Sequence, residues 1–393
     1  MAKDRFPLVA RSALDLDYYT LPMQQYIFYN HSDVSVRYRL IDRKQTEFPP
    51  GFADILADQF QQMGSLRVEP YQIAHLRAKY PYLKHGYLDF LSEFRPDPSR
   101  VRVWEENGRP EVEVEDLWFR GIWYEQPSMY TTSELLYKVA GIHSPSWALD
   151  EVEAMGRFFE EHNMSLTDFG VRRRESAEFQ SQALDRLERF KTYKGTSSVH
   201  DGIIKNHRLI GTMAHQLVMV LGALYGYQGA NLLMMQGWMK EFGARLGTVL
   251  PDALTTEVFL RDFSYYFASA FDSVRWDSGL AEVFTDRFVD HFQGLGIDPA
   301  TKTFIYSDGL NEQKAWAIDQ YAESRGVEKR SYGVGQALMN HTGHPLWIVM
   351  KPVAATRPGW PWIPVVKLPD DPGKVTGDPE VASAVAKLLQ VNW

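Results

Sequence analysis

Residues 273–309, SVRWDSGLAEVFTDRFVDHFQGLGIDPATKTFIYSDG, decide the fold class. A short run around a β-branched residue ends in Asp-Ser-Gly. FTDRFVDHFQGLG follows, with apolar residues three and four apart and glycine close to its end, which predicts a helix. A second short run, TFIY, then ends in Ser-Asp-Gly. Strand, polar loop, helix and strand in that order make a parallel α/β unit. The same theme recurs outward in both directions. LTDFG (166–170), YKGTSS (193–198), LIGTMAH (209–215) and TVLPDA (248–253) precede it, and NEQKAWAIDQYAESRG leads on to SYGVG (331–335). So many strand ends favour a TIM-like barrel of parallel strands over an open sheet. The clusters after each strand should then converge on one face, where Gly-Thr-Ser and Ser-Asp-Gly turns offer backbone N–H groups and small hydroxyls to a phosphate.

The flanking sequence reads differently. YIFYNHSDVSVRYRLIDRK alternates like a strand, GFADILADQFQQMGSL has helical spacing, and RVRVWEENGRPEVEVEDLWFRGIWYE reads as a hairpin about Asn107-Gly108. PLWIVMKPVAATRPGWPWIPVVKL gives two strand-like runs around a Pro-rich loop. The expected organisation is an α+β sandwich domain from residues 1–130 and about 345–393, around an α/β barrel over about 131–344. The fold class expected is therefore α/β, an irregular central barrel with a sandwich domain assembled from both chain ends.

The chain has 393 residues, 45% hydrophobic and 23% charged, the balance of a globular protein. A net charge of −8 argues against a nucleic-acid binder. The absence of cysteine removes disulfides and thiolate chemistry and suits a reducing compartment. MAKDRFPLVARSALDLDYY lacks the apolar core of a secretory signal. Leu209 to Met239 contains no Asp, Glu, Lys or Arg. His215, Gln216, Gln228, Asn231, Gln236 and several glycines interrupt it, so a buried helical segment is a better reading than a membrane span. The expectation is a soluble, cytoplasmic protein with no membrane or nucleic-acid partner.

Several stretches carry side chains suited to chemistry. In LDLDYYTLPMQQ (14–25), Asp17 can cap a helix with the tyrosines packed in the core, or a tyrosine can stack on a planar ring. DFGVRRRES puts Arg172, Arg173 and Arg174 after a strand, as solvated charges or as holders of phosphate or carboxylate. VRWDSG pairs Arg275, a candidate carboxylate binder, with Asp277, which can organise ribose hydroxyls or a hydrated Mg²⁺. In LIGTMAHQL, His215 is either a core histidine with paired ring nitrogens or a nucleophile for a phosphoryl group.

Taken in order, LDLDYYTLPMQQ, DFGVRRR, GTSS, GTMAHQ, VRWDSGLA, IYSDGL, YGVGQ, LWIVMK and KLPDDPGK resemble the motif series of the nicotinate phosphoribosyltransferase family, nearly end to end. The resemblance implies transfer of phosphoribose from phosphoribosyl pyrophosphate to nicotinate in NAD salvage. It also implies Mg²⁺, ATP as a co-substrate, and a homodimer with shared active sites. It implies roles residue by residue. Phe169 and Tyr19, the latter from the other subunit, would sandwich the pyridine ring. Arg275 and Ser197, beside Thr196, would meet its carboxylate, and Arg172 the carboxylate or pyrophosphate. Asp252 and Asp277 would address ribose or metal. Ser307, Gly309, Gly333, Gly335 and Gln336 would hold the 5′-phosphate, and His215 would be transiently phosphorylated. Nicotinamide enzymes have aspartate where this chain has Ser197, and serine adds no charge to repel a carboxylate. The pattern departs at Thr20, Ser198, Leu280, Gln336 and Asn340-His341. It departs also at Gln216, where an acid that would support the imidazole is missing, which predicts weak ATP coupling. Two alternatives stay open: a nicotinamide or other pyridine-base enzyme, and a weakened, non-catalytic binder of phosphoribosyl ligands.

Overall fold

The computed structural model describes residues 6–391. Among the described residues, eleven strands form two sheets. In chain order they are β1 Ser35–Asp42, β2 Val101–Glu106, β3 Arg109–Leu117, β4 Leu166–Asp168, β5 Tyr193–Thr196, β6 Thr248–Val249, β7 Ser273–Trp276, β8 Thr303–Tyr306, β9 Lys329–Val334, β10 Ile348–Thr356 and β11 Ile363–Pro364.

The first sheet is antiparallel and runs β11-β10-β1-β3-β2, so it draws strands from both ends of the chain. Its hairpin turns at Asn107 and Gly108, both with positive φ, as a two-residue turn between twisted strands requires. One expectation shifts here. Tyr26–Asn30 ends the helix Thr20–Asn30, and the strand begins only at Ser35. The alternation belongs to the part from Ser35 on; Tyr26 and Ile27 are buried in the last turns of the helix, and Tyr29 and Asn30 at its end are exposed.

The second sheet is parallel, in the order β5-β4-β9-β8-β7-β6. Read from β6 this is 6-7-8-9-4-5, chain order turned about a circle, as in a barrel cut between β5 and β6. No ladder among the described residues joins those two strands. Residues 209–215 occupy that arc: the Ile210 N–H donates to Thr196 O (2.9 Å), but only a single bridge, Thr196 to Leu209, forms. The chain ends cover the flanks. Asp17 bridges to Ser198 beyond β5, and Leu368 pairs with Leu254 beyond β6. The helices Ala281–Gly294 and Glu312–Ser324 connect β7 to β8 and β8 to β9 as their spacing predicts.

The uncharged segment forms two helices, Gln216–Tyr225 and Ala230–Phe242, mostly buried. No helix among the described residues is long and apolar enough to cross a membrane. One continuous apolar core joins both sheets.

Candidate active site

The carboxyl ends of the parallel strands bring the motif residues together, as the pleat demands of side chains just past each strand. Arg275, on β7 and 5% exposed, is pinned by three groups. Its Nε donates to Ser307 Oγ (2.8 Å), Nη1 to Thr212 Oγ1 (2.7 Å) and Nη2 to Asp277 Oδ1 (3.0 Å). The guanidinium stands 5.4 Å from the Phe169 ring centre. Phe169 in turn rests on Gly333, where an added Cβ would lie 2.2 Å from the ring. Glycine at the end of β9 thus fixes how deep that ring sits.

Behind β6 and β7 lies a charged cluster. His215 Nε2 is 2.8 Å from Asp252 Oδ1 and 3.6 Å from Asp277 Oδ2. Asp252 Oδ2 accepts from Ser278 (2.6 Å) and Lys367 (3.3 Å). Burial holds the imidazole down to about 4, against the pull of Asp252, so it is neutral at pH 7. Burial alone would raise the Asp277 carboxyl, but Arg275 and His215 together hold it down to about 2. Asp252 is kept well below the usual carboxylate range by His215 and Lys367, which outweigh its burial. An ionised Asp252 only accepts hydrogen bonds, so the imidazole proton sits on Nε2 and the lone pair on Nδ1.

The other arginines divide. Arg174 is fully buried in a two-pronged bond to Asp15 (2.7 and 2.8 Å), and Arg173 donates to the carbonyls of Leu346 and Ile348. Only Arg172 faces the site, partly exposed, its guanidinium 5.9 Å from the Tyr19 ring and its Nε 3.3 Å from Asp17 Oδ2.

Four positions have partners that the sequence did not foretell. Tyr19 is 4% exposed, donates to Glu125 (3.2 Å) and accepts from Gln126 (2.6 Å) of its own chain, which fixes its ring beside Arg172. Thr196 is fully buried and its hydroxyl donates to Asp168 (2.6 Å), which makes it floor rather than substrate contact. The Ser307 hydroxyl is spent on Trp276 O (2.9 Å) and Arg275, and its N–H also points to Trp276 O (3.2 Å), so it sets Arg275 instead of facing a phosphate. Gln216 does not touch the imidazole. It donates to Glu125 (2.8 Å) and accepts from Tyr38 (2.7 Å) and Trp118 (3.3 Å), away from the histidine, whose carboxylate is Asp252.

The remaining positions fall as follows. Gly309 follows β8 with φ 56°, and Gly335 and Gln336 turn from β9 into the helix Gln336–Met339 at the same end of the sheet. Thr20 is buried and donates to Gln126, and Ser198 caps the helix Val199–Ile204. Asn340 ties Tyr137 to the Arg173 carbonyl, and His341 packs on Phe179. Leu280 is 69% exposed on a cavity of about 550 Å³ that Asp370 and Asp371 also line, so carboxylates reach that rim from another segment.

Sequence reading missed Asp17, Glu125, Thr212, Ser278 and Lys367 as parts of the site. All but Glu125 lie in or next to the motifs. Their signal was present, but side-chain direction was not. Asp17, expected as a helix cap, instead accepts from Ser197 Oγ (2.6 Å).

The nicotinate phosphoribosyltransferase N-terminal domain model matches residues 14–133, and the nicotinate phosphoribosyltransferase family model matches residues 164–392. The chain belongs to the nicotinate phosphoribosyltransferase family. Family relatives named nicotinate phosphoribosyltransferase include one from Desulforapulum autotrophicum, 36% identical over 97% of this chain and 99% of its own. Another, from Chromohalobacter salexigens, is 33% identical over 97% and 98%. The crystal structure of nicotinate phosphoribosyltransferase from Porphyromonas gingivalis superposes with a TM-score of 0.94 at 33% identity, covering 98% of this chain and all of that one. The corresponding Vibrio cholerae structure gives 0.91 at 30%, covering 98% and 95%. This family is one of enzymes, and the match leaves no large part of the chain outside it.

Proposed function

We propose that this chain, in the cytoplasm, transfers the phosphoribosyl group of phosphoribosyl pyrophosphate to nicotinate, releasing pyrophosphate, as a step of NAD salvage; its relatives are named for that transfer to nicotinate. The observation that carries the reading is two arginine–aromatic pairs at the carboxyl end of the parallel sheet: Arg275 immobilised over Phe169, and Arg172 beside Tyr19. An anionic, planar base fits between them. The ring nitrogen attacks the anomeric carbon as the bond to pyrophosphate breaks, so the chain's task is to hold both reactants and stabilise departing charge. Arg275, locked by Thr212, Ser307 and Asp277, needs no rearrangement as that charge develops. The backbone about Gly309 and Gly335–Gln336 is the proposed 5′-phosphate cradle, with Gly333 setting the ring beneath.

Mg²⁺ fits one part of the charged cluster. His215, Asp252 and Asp277 each bring one donor atom within 4.8 Å of the others. Asp252 has both oxygens engaged, one of them by an ammonium, whereas Asp277 Oδ2 is open but for a distant imidazole. One free carboxylate suits a hydrated ion shared with a diphosphate, since Mg²⁺ keeps most of its waters. When bound, Mg²⁺ neutralises charge on the pyrophosphate.

ATP coupling is proposed through His215. Its Nδ1 lone pair attacks the γ-phosphorus, ADP leaves, and Asp252 stabilises the charge left on the ring, in the manner of a carboxylate behind a catalytic histidine. The test is direct. Purified protein is incubated with phosphoribosyl pyrophosphate, Mg²⁺ and each pyridine base, with and without ATP, and mononucleotide is measured. Product from nicotinate is expected; its absence under every condition defeats the reading.

A further inference from the structure

We infer that Asp17 is a specificity-determining residue that takes up one proton when an anionic pyridine base binds, freeing the Ser197 hydroxyl to donate to the base's carboxylate. The inference rests on the proposed function, in which Ser197 faces that carboxylate.

It follows from counting hydrogens. A serine hydroxyl has one proton to give. In the structure that proton lies between Ser197 Oγ and Asp17 Oδ1, 2.6 Å apart and buried. Toward the site Ser197 then offers only lone pairs, and so does a carboxylate. Two acceptors face to face repel. The other Asp17 oxygen, Oδ2, is buried with no hydrogen-bond partner; Arg172 Nε is 3.3 Å away but also makes no hydrogen bond. Asp17 is therefore a carboxylate whose hydrogen bonding is half unmet.

One added proton resolves both faults. It passes from solvent to Asp17 Oδ1, which then donates to Ser197 Oγ. The hydroxyl hydrogen turns toward the base carboxylate. No bond to carbon changes, and the balance is one proton gained per anion bound. A neutral carboxamide base needs no proton, because its own N–H donates to Ser197 Oγ.

The surroundings bear on this protonation from several elements. Burial and the nearby Glu125, at the start of the helix Glu125–Ala140, favour the neutral acid. Asp168 at the end of β4, itself pushed up to about 7 by burial, lies close enough for the two carboxyls to repel. Arg172, Arg275 and the bond from Ser197 favour the ion, but burial outweighs them and the Asp17 carboxyl is raised from its ordinary value. Tyr19, also within reach, stays a neutral phenol because burial and Glu125 oppose its ionisation.

The experiment is calorimetric titration of the full chain with nicotinate near pH 8, in buffers of different ionisation enthalpy. About one proton taken up per nicotinate is expected, with none for nicotinamide. The native KM for nicotinate should rise about tenfold per pH unit above neutrality, and that slope should vanish in Asp17→Asn. Should Asp17→Asn not fold, Ser197→Ala leaves the carboxylate but removes its relay, and uptake should again be lost. Turnover of nicotinate without proton uptake, or uptake unchanged in these variants, overturns the inference alone. If nicotinate neither binds nor reacts, the proposed function fails with it.

Discussion

At the scale of single residues, the site separates fixed groups from free ones. Arg275 has all three guanidinium nitrogens hydrogen-bonded, so its removal costs an immobilised charge as well as a contact. Arg275→Ala should lower kcat/KM for nicotinate on the order of 10²- to 10³-fold at temperatures where the variant stays folded, and steady-state kinetics reads it. His215 gives the pH prediction. Its folded value of about 4 lies below the ordinary 6.5, so the imidazole keeps its lone pair at pH values where a free histidine would be mostly protonated. Phosphate incorporation from labelled ATP should hold from pH 8 to about pH 5 and fall only as pH nears 4. A midpoint near 6.5 would refute the buried, neutral assignment. Gln216 gives a third. Its amide N–H₂ faces the Glu125 carboxylate, which Tyr19 and Lys351 also address, so Gln216→Glu would set two buried carboxylates together. We expect that variant to lose about 3 kcal/mol of stability by denaturant unfolding, and Glu125→Gln added to it to recover much of the loss. The weak coupling expected from Gln216 thus loses its physical ground: the imidazole's acid is Asp252.

At the scale of elements, the strand ends were legible because a parallel strand buried on both faces reads as a short apolar run, and the turn after it must be polar and small. LTDFG, YKGTSS, SVRWDSG, TFIYSDG and SYGVG each carry a strand where that pattern predicts one. LIGTMAH does not. It follows β5 after only the short helix Val199–Ile204 and crosses the open arc as an irregular stretch, delivering Thr212 to Arg275 and His215 to Asp252. Local pattern cannot distinguish an isolated bridge from a strand. The junction of β9 and β4 supplies a test. In Gly333→Ala the new Cβ meets the Phe169 ring and must displace it toward the base slot. The KM for nicotinate should rise roughly tenfold or more while that for phosphoribosyl pyrophosphate changes little. Equal changes in both would show that the ring does not mark the base subsite.

At the scale of the whole molecule, both chain ends return to the parallel sheet. Asp17 and Tyr19 enter from one flank and Lys367 from the other, so a single chain holds both rings and both arginines. If each site is built from one chain, mixing Tyr19→Ala protein with Arg275→Ala protein restores no activity. Recovery toward a quarter of the native rate would reveal sites shared between subunits. The sequence by itself determined the alternation of elements, the strand-end clusters and the family, because these depend on local periodicity and on motifs within a few residues. Only the tertiary structure decided which hydroxyls and amides were already spent: Ser307 on Arg275, Thr196 on Asp168, Ser197 on Asp17, Gln216 on Glu125. A side chain's hydrogen-bond capacity is small and fixed, and whether any remains for a ligand depends on neighbours brought from distant parts of the chain.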